Sequence, residues 1–225
     1  MTPARFEKLR RVLATRQDSL TILLDQVHKP HNVAAVVRTC DAVGIAQVHA
    51  VSADRELARH HGISGGSRKW VRMQVHPALD AAVTALRAQK MQLVAAHPGP
   101  RCVDFRDIDY TRPTAVLLGA ELWGVSEAGL AAADHHVRIP MVGMVASLNV
   151  SVAAAVILYE AQRQRADAGL YAPRSLDDPG MQARLFEWAY PRIAARCRAE
   201  GEPYPQLDED GAMLRTPGMR LGTGR

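Results

Sequence analysis

Residues 115–165 read AVLLGAELWGVSEAGLAAADHHVRIPMVGMVASLNVSVAAAVILYEAQRQR and carry most of the information about fold and function. They begin with an apolar run that predicts a buried strand, continue through a glycine-bearing turn and a Pro/Gly loop, and finish in a helix that ends in arginines. Open α/β proteins bind small molecules in loops outside the carboxyl ends of their strands. The stretch therefore predicts a small-molecule pocket that borders a cationic surface.

Short apolar runs alternate with helical patterns along the whole chain. The patterns predict strands at 20–25, 46–51, 71–75, 91–96, 115–118 and 136–139, and helices at 3–16, 32–43, 77–90, 147–167 and 178–199. This alternation indicates an α/β fold with a mostly parallel sheet covered by helices on both faces. Segment 62–66 is predicted to be a glycine-rich loop, and the final 25 residues are predicted to be loosely ordered.

The composition is that of a soluble globular protein with one main domain, because 48% of the 225 residues are hydrophobic and 23% are charged. The sequence contains no run of 18 or more uncharged apolar residues, and its N-terminus is too polar for a signal peptide, so we expect a cytoplasmic protein. Cys40, Cys102 and Cys197 are isolated from one another, which argues against a disulfide framework or a CxxC metal site. We expect no metal requirement.

Arginine is clustered along the sequence. One cluster lies in the first helix, a second surrounds Trp70, and a third ends the helix that closes the stretch quoted above. Arginine pairs with phosphate through two hydrogen bonds, so the clusters favour a polyanionic partner such as nucleic acid. Solvated helix faces are the alternative that the charges alone leave open.

Three loops that follow predicted strands are the candidate ligand-binding segments, at 96–100, 119–124 and 139–148. A GxGxxG sequence between a strand and a helix does not occur, and GAELWGVS (119–126) lacks the Lys-Ser/Thr ending of a phosphate-binding loop. The sequence therefore argues against a dehydrogenase or an NTPase. The glycines in these loops suit a ligand that is bound by main-chain groups.

Three motifs in the sequence resemble a known family. HNVAAVVRTCDAVG (31–44), LLGAELWGVS (117–126) and IPMVGMVASLNVSVAAAVILYEAQRQR (139–165) closely resemble the signature motifs of the SpoU branch of the SPOUT RNA methyltransferases. VDFRDIDYTRPT (103–114) and the LYEAQRQR ending are similar to the TrmH family within that branch. The resemblance implies 2′-O-methylation of the ribose of a D-loop guanosine, position 18, in tRNA, with S-adenosylmethionine (SAM) as the methyl donor.

The same resemblance implies a deep trefoil knot in the C-terminal half, a homodimer, and a SAM pocket near the boundary between subunits. It implies a basic RNA-binding helix at 1–18, a methyltransferase core at 19–168, a helical extension at 169–200 and a tail at 201–225. By position, the residues implied to bind SAM are Ala96, Leu118, Gly119, Ile139, Met141, Ser147 and Leu148.

The implied catalytic residues are Arg38, supported by Asn32, Glu121 and Asn149. A ribose hydroxyl is a poor nucleophile, which must be held in line with the methyl group. Because a guanidinium stays protonated in proteins, we expect Arg38 to orient the hydroxyl and stabilise negative charge. Taken singly, Asn32 is equally a helix N-cap, Arg38 a partner of Asp41 or Glu121, and Asn149 a polar residue in the first turn of a helix.

RNA binding is expected to be distributed over two basic regions and the first motif. Trp70 and Tyr110 are candidates for stacking on the extruded base, and packing within the protein is the alternative for each. Two other functions compete with tRNA methylation: methylation of ribosomal RNA, and a non-catalytic role in binding or folding tRNA. The expected RNA-binding residues are Arg5, Arg11, Arg16, His31, Arg163 and Arg165.

Overall fold

A computed structural model describes residues 1–52, 69–99, 102–121 and 123–214. The chain forms two compact units, one of Gln17–Tyr171 and the other of Met1–Arg16 together with the chain from Ala172 onward. The boundaries between helix, core, extension and tail that the resemblance implies stay a prediction. The glycine-rich loop predicted at 62–66 lies outside the described residues.

The larger unit is built on a parallel sheet. Its strand order is β3-β2-β1-β6-β4-β7-β5, and every pairing between these strands is parallel. The predicted parallel sheet is therefore confirmed, although the short strand β5 was missed. The strands are β1 (Leu20–Asp25), β2 (Gln47–Val51), β3 (Arg72–His76), β4 (Gln92–Ala96), β5 (Val103–Asp104), β6 (Thr114–Gly119) and β7 (His135–Arg138).

The described helices of this unit cover both faces of the sheet. Leu20, Ile22 and Leu24 of β1 pack in one hydrophobic cluster, whereas Leu23 of the same strand packs in the other. The first cluster includes residues of α2 and α5, and the second includes residues of α3. Because both faces are buried, the central strands β1, β4 and β6 are largely apolar runs, as is typical of parallel sheets. The helices are α2 (Pro30–Ala42), α3 (Leu79–Ala88), α4 (Glu127–Ala132) and α5 (Val150–Asp167).

The carboxyl ends of the central strands meet at one edge of the sheet. Asp25 at the end of β1 is in register with Gly119 at the end of β6, and Ala96 at the end of β4 is in register with Val137 of β7. The loops that follow β4, β6 and β7 therefore start close together. This edge is where a ligand is expected in an open parallel sheet.

The smaller unit is held by α1 (Pro3–Ala14), α6 (Pro179–Ala189) and α7 (Pro191–Glu200). Phe6, Leu9 and Leu13 of α1 are buried, as their spacing predicts. The single helix predicted at 178–199 is wrong, because Pro191 ends one helix and starts the next. A Cβ on Gly211 would approach the ring of Phe6 to 2.3 Å, so residues near 211 are packed rather than loosely ordered.

Two histidines are stacked inside the larger unit. His49 of β2 and His76 of β3 are buried, and Nδ1 of His49 lies 2.9 Å from Nε2 of His76. Their ring centroids are 5.2 Å apart. Burial and the charge of the neighbouring His76 lower the pKa of His49 to about 4, and burial lowers the pKa of His76. The folded protein therefore favours the neutral form of both imidazoles.

Acid should destabilise the protein through this pair. Because the folded His49 binds a proton less readily than the unfolded one, the stabilisation is complete above about pH 6.5 and declines as the pH falls towards 4. We expect the free energy of unfolding to fall by roughly 2–3 kcal/mol over that range. In urea titrations at several pH values, His49→Gln should make the free energy of unfolding depend less on pH. The control His135→Gln, at an exposed histidine, should leave that dependence unchanged. Equal slopes for wild type and His49→Gln would contradict the assignment.

Candidate functional site

A cavity of about 560 Å³ lies at the carboxyl edge of the sheet. Its walls come from the loops after β4, β6 and β7 and from the start of α5. Its volume is in the usual range for small-molecule sites, about 300–1,000 Å³. The structure brings together here all seven residues that the resemblance assigns to the cofactor, namely Ala96, Leu118, Gly119, Ile139, Met141, Ser147 and Leu148.

The wall after β6 depends on a close return of the main chain. A Cβ on Gly119 would lie 1.9 Å from the carbonyl carbon of Gly124, so a side chain at position 119 has no room. Gly124 has φ +70°, and its N–H donates to the carbonyl of Ala120 at 2.7 Å. Two glycines thus bring the chain back onto the end of its own strand and leave main-chain groups at the cavity.

Glu121 and Trp123 lie in the same loop and line the cavity. Glu121 forms an ion pair with Lys29, which immediately precedes α2. Arg38 is therefore not its partner, which excludes one of the alternatives left open by the sequence. The side chain of Trp123 is 85% exposed at the cavity rim. The loop accordingly presents one carboxylate and one free aromatic surface.

Asn149 connects α5 to α2. Its Oδ1 accepts a hydrogen bond from the Ser151 N–H at 2.9 Å and caps α5, while its Nδ2 donates to Oδ1 of Asn32 at 3.3 Å. Asn149 also lines the cavity. The helix predicted from Ser147 starts instead at Val150, because Asn149 occupies the N-cap.

Asn32 is not a helix cap, which excludes a second alternative. Helix α2 begins at Pro30, with Lys29 in the cap position, because proline is favoured in the first turn. Asn32 is buried, and its Nδ2 has no hydrogen-bond partner in the part of the chain that the structure describes. A buried amide N–H₂ without a partner is costly unless a ligand or water satisfies it. Asn32 therefore has the character of a site residue.

Arg38 and His31 lie on one exposed face of α2, seven residues apart. Neither residue lines the cavity. Within the described ranges, Arg38 makes no ion pair with Asp41 or Glu121. The structure thus brings Asn149 and Glu121 to the cavity and ties Asn32 to Asn149, but it leaves Arg38 on the surface of the single chain.

The expectation that Arg165 binds RNA is wrong for this structure. The side chain is 1% exposed, and its guanidinium donates to the carbonyls of Ser19 and Tyr110, to the Ser19 hydroxyl and to Gln17 Oε1. Burial lowers the pKa of Arg165. Its donors are used by protein oxygens, so Arg165 fastens the end of α5 and is not available to a phosphate.

Arg16 is also buried, at 3% exposure, and its guanidinium lies 5.3 Å from the ring centroid of Trp188. The expectation that it binds RNA is therefore wrong as well.

Arg5 and Arg11 are exposed on α1. Arg163 is exposed on α5, but Glu160 and Asp167 already pair with it at 2.7 and 2.9 Å. Any phosphate would compete with those two carboxylates.

The candidates for base stacking differ in their exposure. Tyr110 is completely buried, and burial raises the pKa of its hydroxyl, so it is a core residue and cannot stack on RNA. Trp70 is half-buried. Trp123 and His97 line the cavity; they lie in two of the loops predicted to bind the ligand, but the sequence did not single out either residue. Trp123 lies inside a motif and was open to inference, whereas the position of His97 depends on the path of the loop after β4.

The described residues contain no group of three or more His, Cys, Asp or Glu side chains arranged to hold a metal ion. Nor do they include a helix that is both long and apolar enough to cross a membrane.

The chain matches two family models and several known proteins. Residues 19–159 match the SpoU rRNA Methylase family, and residues 163–216 match the model "SpoU, rRNA methylase, C-terminal". The chain is 46% identical over 213 residues to tRNA (guanosine(18)-2′-O)-methyltransferase of Escherichia coli K12, which covers 94% of this chain and 93% of that protein.

Two solved structures are similar to it. The TrmH/SpoU tRNA modifying enzyme of Aquifex aeolicus superposes with a TM-score of 0.77 at 41% identity, covering 84% of this chain and 97% of that one. The SpoU methyltransferase AviRb of Streptomyces viridochromogenes, solved in complex with the cofactor AdoMet, has a TM-score of 0.59 at 32% identity. The superposition covers 69% of this chain and 64% of AviRb.

Gly119→Ala should destroy the cavity wall. Because the added methyl group would overlap the backbone of Gly124, the loop must move, at a cost of about 1–3 kcal/mol or more. We expect isothermal titration calorimetry to show at least about a tenfold weaker SAM affinity. The matched control is Gly143→Ala in the loop after β7, where a Cβ meets nothing within 4 Å. Equal SAM affinity for both variants would contradict the proposed role of Gly119.

Proposed function

Because the chain belongs to the SpoU methylase family, we propose that it transfers a methyl group from SAM to the ribose 2′-oxygen of guanosine 18 in the D-loop of tRNA. The observation that carries this proposal is the meeting of two family motifs at one cavity, Gly119 from one motif and Ile139 and Leu148 from the other. Asn32 of the remaining motif is hydrogen-bonded to Asn149 in the cavity wall. The similarity to the E. coli tRNA (guanosine(18)-2′-O)-methyltransferase extends over 94% of the chain, so it includes the RNA-facing segments as well as the cavity.

The cavity fits SAM in size and in the nature of its walls. Gly119 and Gly124 leave main-chain groups at the cavity where a Cβ would intrude, which suits a nucleoside bound by backbone hydrogen bonds. When bound there, SAM supplies an electrophilic methyl group on a sulfonium ion. AviRb, a family member that shares the fold, was solved with AdoMet bound.

The chain's own residues bind the cofactor and aim the ribose hydroxyl at its methyl group. We assign the backbone at Gly119, Ile139 and Leu148 to cofactor binding, with Ala96, Leu118, Met141 and Ser147 beside them. Asn149 and Asn32 form a polar pair next to the cavity, where their amides are suited to hold the ribose. Glu121 pairs with Lys29, and this ion pair holds the loop after β6 opposite the two asparagines.

Arg38 is proposed to act on the RNA side of the reaction. Its guanidinium is exposed and unpaired by any carboxylate in the described chain, which suits contact with the phosphate next to the target ribose. From there it orients the 2′-hydroxyl and stabilises the negative charge that develops as the proton leaves. Catalysis thus requires the face of α2 that carries Arg38 and His31 to meet the cavity.

A homodimer would bring the cavity together with the face of α2 that carries Arg38 and His31. Val142, Met144 and Val145 lie in the cavity loop after β7, and their side chains are between 61% and 105% exposed. Apolar side chains so exposed on one loop favour a protein partner, and a second copy is the partner that the family resemblance implies. We further propose that the segment from about residue 115 onward forms a deep trefoil knot, as the family resemblance implies.

tRNA is the proposed partner, and the cytoplasm, where tRNA is available, is the proposed location. Arg5, Arg11, His31 and Arg163 remain the proposed phosphate contacts, while Arg16 and Arg165 are left out of this set because they are buried. No metal ion takes part in the proposed reaction. Methylation of ribosomal RNA is the second candidate, which the name of the matching family model favours.

Transfer of labelled methyl from SAM to an unmodified tRNA transcript tests the function. We expect label in tRNA, none in a transcript with guanosine 18 replaced by adenosine, and at least about a hundredfold lower kcat for Arg38→Ala. Arg38→Lys should recover part of the loss, because it restores the charge without the bidentate geometry. Label in ribosomal RNA alone would favour the second candidate, and no SAM binding would leave a non-catalytic tRNA-binding protein.

Arg11→Ala should weaken tRNA binding without changing SAM affinity. One phosphate contact fewer should lower the slope of log K against log salt by about 1. The matched control is Arg198→Ala, because Arg198 is exposed but already pairs with Glu187 at 2.8 Å; its slope should stay at the wild-type value. Filter binding at several salt concentrations measures both slopes. An unchanged slope for Arg11→Ala would remove α1 from the RNA interface.

A further inference from the structure

Asp25 is a buried carboxylate that none of the three motifs includes. It is the last residue of β1 and is 1% exposed. Its main chain pairs in register with Gly119, where the cavity loop begins. Its side chain reaches the other end of that loop, where Oδ2 accepts a hydrogen bond from the Ser126 N–H at 2.9 Å.

One residue therefore holds both ends of the loop from Gly119 to Ser126. The sheet fixes the first end through the backbone of Asp25, and the carboxylate fixes the second. Glu121, Trp123 and Gly124 lie between these two points and line the cavity. We propose that Asp25 is a positioning residue, which sets the shape of this cavity wall and thereby the affinity for SAM. The proposal rests on the function proposed above.

The contact is close-packed. A Cβ on Gly129 would approach Asp25 Oδ2 to 3.1 Å and Val125 Cγ1 to 2.8 Å, so α4 lies directly against the carboxylate. Ser126 is also fixed by the helix, because its Oγ accepts the Gly129 N–H at 3.1 Å. The end of the loop thus has little freedom while Asp25 holds it.

The second carboxylate oxygen of Asp25, Oδ1, indicates that a contribution to stability does not by itself explain an acid at this position. Oδ1 of Asp25 is buried without a hydrogen-bond partner among the described residues. Burying a carboxylate costs solvation free energy, and a carboxylate with one oxygen unpartnered recovers only part of that cost through its hydrogen bonds. The geometric function of Oδ2 at Ser126 supplies the missing reason for an acid at this position.

The test compares Asp25→Ala and Asp25→Asn with a matched control. Asp134 also accepts a main-chain hydrogen bond with a side-chain oxygen, from Leu93 N at 2.7 Å, but it does not line the cavity or touch its loop. Asp134→Ala therefore removes a side-chain tether of a main-chain N–H elsewhere in the sheet, together with the ion pair between Asp134 and Arg87. Calorimetry gives the SAM Kd, steady-state assays on tRNA give KM for SAM and kcat, and circular dichroism gives Tm.

Asp25→Ala is expected to raise the Kd and the KM for SAM about tenfold, the effect of losing one hydrogen bond that orders the loop. At saturating SAM the loop is held by its ligand, so kcat should stay within about twofold of wild type. Asp25→Asn keeps an acceptor for Ser126 and should stay within about threefold in Kd. Asp134→Ala should lower Tm while its SAM Kd remains that of wild type.

Gly129→Ala is the second variant if Asp25→Ala does not fold, since its methyl group presses on the same contact and leaves the carboxylate in place. It should also raise the SAM Kd. The proposal is overturned if folded Asp25→Ala or Gly129→Ala binds SAM as wild type does, or if Asp134→Ala raises the Kd as much as Asp25→Ala. Failure of wild type to bind SAM would instead overturn the proposed function itself.

Discussion

The close approach of the chain to itself at Gly119 is the constraint on which the cavity depends. The backbone of Gly124 occupies the place where a side chain at position 119 would project, and a hydrogen bond between Gly124 and Ala120 closes the turn. Because β6 is a central, fully buried strand, the start of this turn cannot shift without disturbing the sheet. The loop is therefore rigid at its origin, and the cavity shape follows from the fold.

Two polar contacts connect this loop region to α2. Lys29 pairs with Glu121 after β6, and Asn32 accepts a hydrogen bond from Asn149 at the start of α5. The start of α2 thus contacts two parts of the cavity wall, the loop after β6 and the start of α5. The helix then carries Arg38 to its exposed face. This short segment therefore links the helix that carries the proposed RNA contact to the proposed cofactor cavity, although the polar groups come from three separate parts of the sequence.

The sequence predicted the parallel sheet and the edge at which the cavity lies, because both follow from local patterns, whereas the individual cofactor residues were implied by the family resemblance. Apolar runs identified six of the seven strands to within a residue or two and missed β5, and the loops after β4, β6 and β7 had to meet at one edge. Burial of arginine was not predictable. Arg165 resembles its exposed neighbour Arg163, and only the approach of Ser19 and Tyr110 distinguishes them. The contact between Asp25 and Ser126 spans 101 residues, so no local pattern indicates it.

A crystal structure of the protein with S-adenosylhomocysteine bound tests most directly whether this cavity is the site of methyl transfer. The prediction is that the nucleoside occupies the cavity, with hydrogen bonds to main-chain groups of the loops at Gly119, Ile139 and Leu148. The sulfur should face the Asn32–Asn149 pair. Density for the ligand at any other place, or a sulfur atom on the far side of the cavity from Asn149, would contradict the assignment of the site.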